Sequence, residues 1–246
     1  MTILGIIPAR YGSTRFPAKA LADIRGKTMI QRVVEQARQS ERLIRVLVAT
    51  DHEAIADHVR SFGGEAIMTS PDHQSGTDRC FEALQLSGYE ADYVINIQGD
   101  EPFIQPAQID LLASVLDGGT ELATLVRQIE DETTLFDTSK PKVVLNNRGE
   151  ALYFSRQTIP LLRNHPPNDW LTQHTFYKHI GIYAYRTDVL AQITQLLPSP
   201  LERAESLEQL RWLENGYRIR AVVTELDSHG IDTPEDLKQV LADFLG

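Results

Sequence analysis

Residues 45–68 read RVLVATDHEAIADHVRSFGGEAIM. Residues 46–49 form an unbroken apolar run of strand length. Residues 53–62 carry a helical pattern that Gly63 and Gly64 close, and residues 66–68 are a second short apolar run. Strand, helix and strand in that order imply a parallel sheet.

The same alternation extends to both sides. Upstream, residues 3–7 read as a strand and Met29–Ala37 as a helix with Met29, Ile30, Val33, Val34 and Ala37 on one face. Downstream come a helix over 79–86, a strand over 93–97 within YVINIQGDEP, and a helix over 106–116 with Pro106 in its first turn. The predicted class is α/β, a mostly parallel sheet with helices on both faces. The regularity fails after Leu122. Residues 122–129, Lys142–Leu145 and 151–154 read as strands without intervening helices, with a turn at 147–149. Residues 163–174 read as a flexible loop, 180–185 as a strand, 187–196 and 204–213 as helices, 218–223 as a strand and 234–244 as a helix. One domain, 1–246, is expected, with an antiparallel insertion at about 125–179.

Composition narrows the function. The chain of 246 residues has 34 acidic and 24 basic side chains, a net charge of −10, which argues against a nucleic-acid partner. No apolar stretch approaches the ~20 residues of a membrane span, and Pro8, Arg10 and Arg15 interrupt the first apolar run, so no signal peptide is expected. Cys80 is the single cysteine, which excludes an internal disulfide. The expected compartment is the cytoplasm.

Against the acidic background, residues 8–19 crowd Arg10, Arg15 and Lys19 around Gly12 and Ser13. Cations beside small residues suit a phosphate-bearing ligand, and a solvated basic loop is the competing reading. No GKS, GKT or GxGxxG is present. In NIQGDEP, Asp100 and Glu101 follow a strand directly, so they emerge at the same sheet edge. Hard carboxylates there suit Mg²⁺ with a nucleoside triphosphate, against an ordinary acidic turn. In HGIDTPEDL, helix capping by Asp232 or Thr233 is the better reading from the residues alone, with Glu235 and Asp236 in the first turn. HQSGTDR offers Ser75, Gly76, Thr77 and Arg79 to a ribose or base. Alone it reads better as a helix start capped by Thr77 or Asp78. His179 stands out among the histidines because it begins an apolar strand.

IIPARYGSTRFPAKAL, ATD, HQSGTDR, NIQGDEP, YFSR, KHIGIYAYR, SLEQLR and GIDTPEDL run in order almost end to end. This ordered set resembles the 3-deoxy-manno-octulosonate cytidylyltransferase family. The resemblance implies a nucleotide-diphospho-sugar transferase fold, a homodimer, and transfer of CMP from CTP to the sugar acid Kdo with Mg²⁺, giving CMP-Kdo and pyrophosphate for lipopolysaccharide synthesis. It implies that Arg10, Ser13, Arg15 and Lys19 hold the triphosphate, with Lys19 and Arg15 catalytic, and that Ser75, Gly76, Thr77 and Arg79 line the nucleoside. It also implies that Asp100 and Asp232 are catalytic metal ligands, reversing the capping reading of Asp232. Gln98, Arg156, His179, Tyr183, Glu208 and Gln209 would line the sugar pocket. One departure is visible: the family commonly has RLPGKPL where this chain has RFPAKAL, so Ala18 and Ala20 replace glycine and proline.

Overall fold

The computed structural model describes residues 1–12, 16–227 and 230–245, the last three of these by backbone alone. The chain divides into two compact units, Met1–Ala113 with Ser228–Gly246, and Ser114–Asp227. The second unit is wider than the insertion expected at 125–179, because its core needs flanking strands and helices that lie outside those limits.

The first unit contains β1 (Ile3–Ala9), a two-stranded hairpin of β2 (Asp23–Ile24) and β3 (Lys27–Thr28), α1 (Met29–Ala37), β4 (Arg45–Thr50), α2 (Glu53–Ser61), β5 (Glu65–Met68), α3 (Gly76–Ser87), β6 (Tyr93–Asn96) and α4 (Pro106–Ala113). Four strands lie in the order β6-β1-β4-β5, and every pair is parallel. β1 and β6 are buried almost throughout, which explains their unbroken apolar sequence. The stretch 45–68 forms β4, α2 and β5 as expected. β4 lies on one side of β1 and β6 on the other, so the crevice opens beyond the carboxyl end of β1. α1 buries the five predicted apolar residues, and the Thr28 side chain caps it by accepting from Gln31 N–H. α3 begins three residues earlier than expected, because Ser75, and not Thr77 or Asp78, is the cap, accepting from Asp78 N–H at 3.1 Å.

The second unit holds β7 (Leu122–Gln128), α5 (Glu132–Phe136), β8 (Lys142–Leu145), β9 (Ala151–Ser155), α6 (Trp170–Gln173), β10 (Tyr177–Arg186), α7 (Thr187–Ile193), α8 (Pro200–Glu205), α9 (Gln209–Glu214) and β11 (Ile219–Val223). β10 pairs antiparallel with β7 and with β8, β8 pairs antiparallel with β9, and β11 pairs parallel with β7. Three expectations change here. A short helix, α5, capped by Asp131, does separate β7 from β8. The loop expected at 163–174 contains α6, because Trp170 is buried against Ile129, Leu135 and Phe176, a contact that the polar composition hid. The helix expected over 204–213 is broken in two by Ser206, whose φ of 53° is left-handed. Glu202, part of the α8 capping box, pairs with Arg211 of α9 across that break. After this unit the chain returns to the first as α10 (Pro234–Leu245).

Candidate active site

At the carboxyl end of β1 a cleft of about 310 Å³ opens in the first unit. Arg10 and Lys19 line it from the first loop, Ser75, Gly76 and Arg79 from the start of α3, Gln98 and Asp100 from the segment after β6, and Asp232 from the approach to α10. Four separate motifs of the sequence thus converge. Thr77 is buried in the first turn of α3 and is not on the cleft wall. Ser13 and Arg15 lie outside the described residues.

Close backbone packing sets the geometry. A Cβ at Gly99 would stand 2.7 Å from the Pro8 carbonyl oxygen, so only glycine lets NIQGDEP approach the end of β1 this closely. Ile231 N–H donates to the Asp100 carbonyl at 2.9 Å. Ile231 is also buried with Ile24, Met29 and Val240, against Phe16 and Phe103. This apolar cluster ties the approach to α10 onto the first loop and the β2–β3 hairpin, carrying Asp232 to a residue 213 positions away in sequence. Lys19 Nζ lies 2.7 Å from Asp100 Oδ2 and 3.0 Å from Asp232 Oδ1. Asp232 is therefore not the helix cap. Thr233 is, accepting from Asp236 N–H at 3.1 Å, while Asp236 accepts from the Asp232 and Thr233 amides.

Arg79, on the cleft wall, is 3% exposed. Its guanidinium donates to Asp51 Oδ2 at 3.0 Å and to Thr69 Oγ1 at 2.7 Å. Asp51 in turn accepts from Tyr11 N–H at 3.1 Å, so this pair fastens the first loop to the end of β4. His73, also on the cleft wall, is held by Glu82 at 2.6 Å. Sequence reasoning did not single out Asp51 or His73, although each lies inside a quoted motif, ATD and HQSGTDR.

Ala18, where the family commonly has glycine, is left-handed at φ 54°, ψ 28°. A Cβ in that region costs about 1 kcal/mol. Ala18→Gly is expected to raise the melting temperature by about 2–4 °C. A lower melting temperature in a thermal scan would show that the unfolded chain's gained freedom dominates.

In the second unit, β10 aligns His179 and Tyr183, whose ring centroids lie 5.2 Å apart. His179 Nε2 is 3.0 Å from Thr124 Oγ1. That hydroxyl has one proton and donates it to the Ile182 carbonyl at 2.7 Å, so Nε2 carries the histidine proton and Nδ1 is an acceptor. Tyr183 packs edge-on against Trp212, 5.0 Å away. Tyr183 Oη, Gln209 Nε2 and Trp212 Nε1 are all buried with no hydrogen-bond partner among the described residues. Three orphaned polar groups are costly, and they suit a hydroxylated ligand. Burial pushes the Tyr183 phenol well up, with the charges of Tyr185 and Glu208 adding to the effect. Arg156 directs its guanidinium to the carbonyls of Glu205, Thr138 and Ser206, bracing the bend between α8 and α9 just ahead of Glu208 and Gln209.

Burial lowers the His179 pKa from 6.5 to about 3. The unfolded chain therefore takes up a proton in a window where the folded chain does not. Stability falls as pH drops from 6.5 towards 3, by about 1.4 kcal/mol per pH unit from this group, and is independent of it above 6.5. In denaturant titrations between about pH 6 and about pH 4, His179→Gln should lose stability more slowly than the parent by that slope. Identical slopes would refute a buried neutral imidazole.

The family model for cytidylyltransferases matches residues 4–219. A 3-deoxy-manno-octulosonate cytidylyltransferase of Cytophaga hutchinsonii is 61% identical over 241 residues, covering 98% of this chain and 96% of the relative. One of Parabacteroides distasonis is 56% identical, covering 98% of each. A solved structure of CMP:2-keto-3-deoxy-manno-octonic acid synthetase complexed with CTP superposes with a TM-score of 0.91, at 45% identity and 98% coverage of both chains. A Bacillus anthracis structure in complex with sucrose, at 18% identity and a TM-score of 0.64, shares the fold alone. The cleft, the ordered motifs and these likenesses agree: the chain belongs to the cytidylyltransferase family, among the 3-deoxy-manno-octulosonate cytidylyltransferases.

Proposed function

We propose that this enzyme transfers CMP from CTP to the anomeric hydroxyl of Kdo, releasing pyrophosphate. The observation that carries the reading is the convergence of Arg10, Lys19, Asp100 and Asp232 on one cleft at the carboxyl end of a parallel sheet. The naming of full-length relatives supports the sugar acid. Arg10 and Lys19 neutralise the triphosphate and the pyrophosphate that leaves, and Arg15 and Ser13 share that stretch of sequence. The amide-rich start of α3 at Ser75 and Gly76 faces the nucleotide, above the Arg79–Asp51 pair. Phosphoryl transfer of this kind needs chiefly in-line positioning and charge neutralisation, which these groups supply. Within the second unit, the orphaned groups around Tyr183 and Gln209, with His179 and Glu208, are assigned to the sugar acid.

Asp100 and Asp232 share one cation, the Lys19 ammonium, and this convergence supports reading them as ligands of a hard divalent ion, with Mg²⁺ the proposed one. When bound, Mg²⁺ supplies Lewis-acid polarisation of phosphate and hydroxyl oxygens. The test is pyrophosphate release from CTP and Mg²⁺ with Kdo, its 8-amino analogue, sialic acid and a sugar 1-phosphate. Release with Kdo is expected. Release only with another acceptor, or only when UTP or dTTP replaces CTP, would overturn the reading.

The proposed working form is a cytoplasmic homodimer joined through the second unit. Leu152 on β9 is 60% exposed and Leu161 is 72% exposed, two apolar side chains that a partner could cover. Sedimentation at micromolar concentration is expected to give twice the chain mass of 27.7 kDa. A single 27.7 kDa species would defeat the proposal.

A further inference from the structure

Lys19 faces two acids at once. Its ammonium lies within 3.0 Å of an oxygen from each of Asp100 and Asp232, with the lysine side chain 15% exposed and those of the acids 30% and 46%, so this is a directed contact at the cleft wall. In the function proposed above, a divalent ion is held by these same two carboxylates. An ammonium and a divalent cation cannot both stand against them without strong repulsion, because like charges so close oppose each other even in a polar cleft. We infer that Lys19 is a resident counter-ion, which neutralises Asp100 and Asp232 in the nucleotide-free protein and must be displaced before a divalent cation can bind.

This inference rests on the reading of the cleft as a nucleotide–metal site and adds a regulation to it. A lysine released from two carboxylates has a flexible four-carbon stem and, in a cleft that also presents Arg10 and the start of α3, phosphate oxygens are the partner it can turn to. A phosphate ligand would draw the ammonium away and open the acids to metal, and metal would free the ammonium for phosphate. The two bindings are therefore positively coupled, and the coupling is reciprocal. Without nucleotide the lysine-closed form suppresses metal binding. If that form holds about nine molecules in ten, the apparent metal affinity is about tenfold weaker than the intrinsic one.

The experiment is calorimetric titration of the nucleotide-free full-length chain with Mg²⁺ and with Mn²⁺, for the parent, Lys19→Met and Lys19→Gln, alongside thermal melts in chelator and in excess metal. Both variants should bind divalent metal about tenfold tighter than the parent. Both should melt about 2–4 °C lower in chelator, where the two acids have lost the Lys19 ammonium, and recover in metal. Adding Asp232→Asn to Lys19→Met should abolish the gain in affinity. Folded Lys19 variants that bind metal no tighter than the parent, or that bind it equally well without Asp232, would overturn the inference. Pyrophosphate release by the parent from CTP and Kdo is scored separately. If that release is present while the affinity gain is absent, the counter-ion role falls and the transferase reading stands. If the gain is present while no acceptor yields pyrophosphate, the reverse holds.

Discussion

Asp100→Asn and Asp232→Asn are each expected to lower kcat/KM at least about 10³-fold while leaving the melting temperature in chelator nearly unchanged. The two acids sit at 2.7 and 3.0 Å from one ammonium, so removing either charge leaves Lys19 paired with the other and costs the fold little. For catalysis the proposed metal role makes the loss different in kind, because a divalent ion held by both acids would need two hard, charged oxygens and an amide supplies a weaker one. Steady-state kinetics over a Mg²⁺ series and a thermal scan of each variant separate the two effects. Near-normal turnover at low Mg²⁺ in either variant would remove that residue from the metal site. A large drop in melting temperature would instead assign it to the scaffold.

Arg79→Met is expected to destabilise the protein by about 3–5 kcal/mol, which at this chain length lowers the melting temperature by about 6 °C or more. Arg79 is almost fully buried and its partner Asp51 is 14% exposed in its side chain, so the substitution strands a carboxylate in a poorly solvated place. Asp51 also holds Tyr11 N–H, so the same change loosens the loop that carries Arg10 and should raise the KM for CTP as a consequence. The double variant Arg79→Met with Asp51→Leu, which removes both charges, should recover a large part of the stability. If Arg79→Met melted with the parent and only the KM for CTP rose, Arg79 would be a direct nucleotide contact and not the clasp described above.

The alternation of period in residues 45–68, and its repetition upstream to Ile3 and downstream to Pro106, was enough to give the parallel sheet and to put the first loop and NIQGDEP at one edge. Local physics suffices there, because a buried parallel strand must be apolar on both faces and a covering helix on one. The ordered motifs were likewise legible, since each is a short run whose residues act together. What the sequence did not determine was any decision that depended on a distant partner. From its neighbours alone Asp232 looked like a cap, and it was the family resemblance that moved it to the site. Only the packing of Ile231 into the cluster with Ile24 and Met29 turns its carboxylate to Lys19 and leaves Thr233 to cap α10. Arg79 looked like a nucleoside contact, and the burial of its guanidinium between Asp51 and Thr69 makes it first a structural clasp. Arg156 was expected at the sugar, and its guanidinium braces backbone carbonyls at a bend that a helical period over 204–213 had concealed. Composition and spacing carry information about neighbours a few residues away. The direction of a charged side chain is set by which opposite charge or carbonyl the fold brings within about 3 Å, and that is a property of the tertiary structure alone.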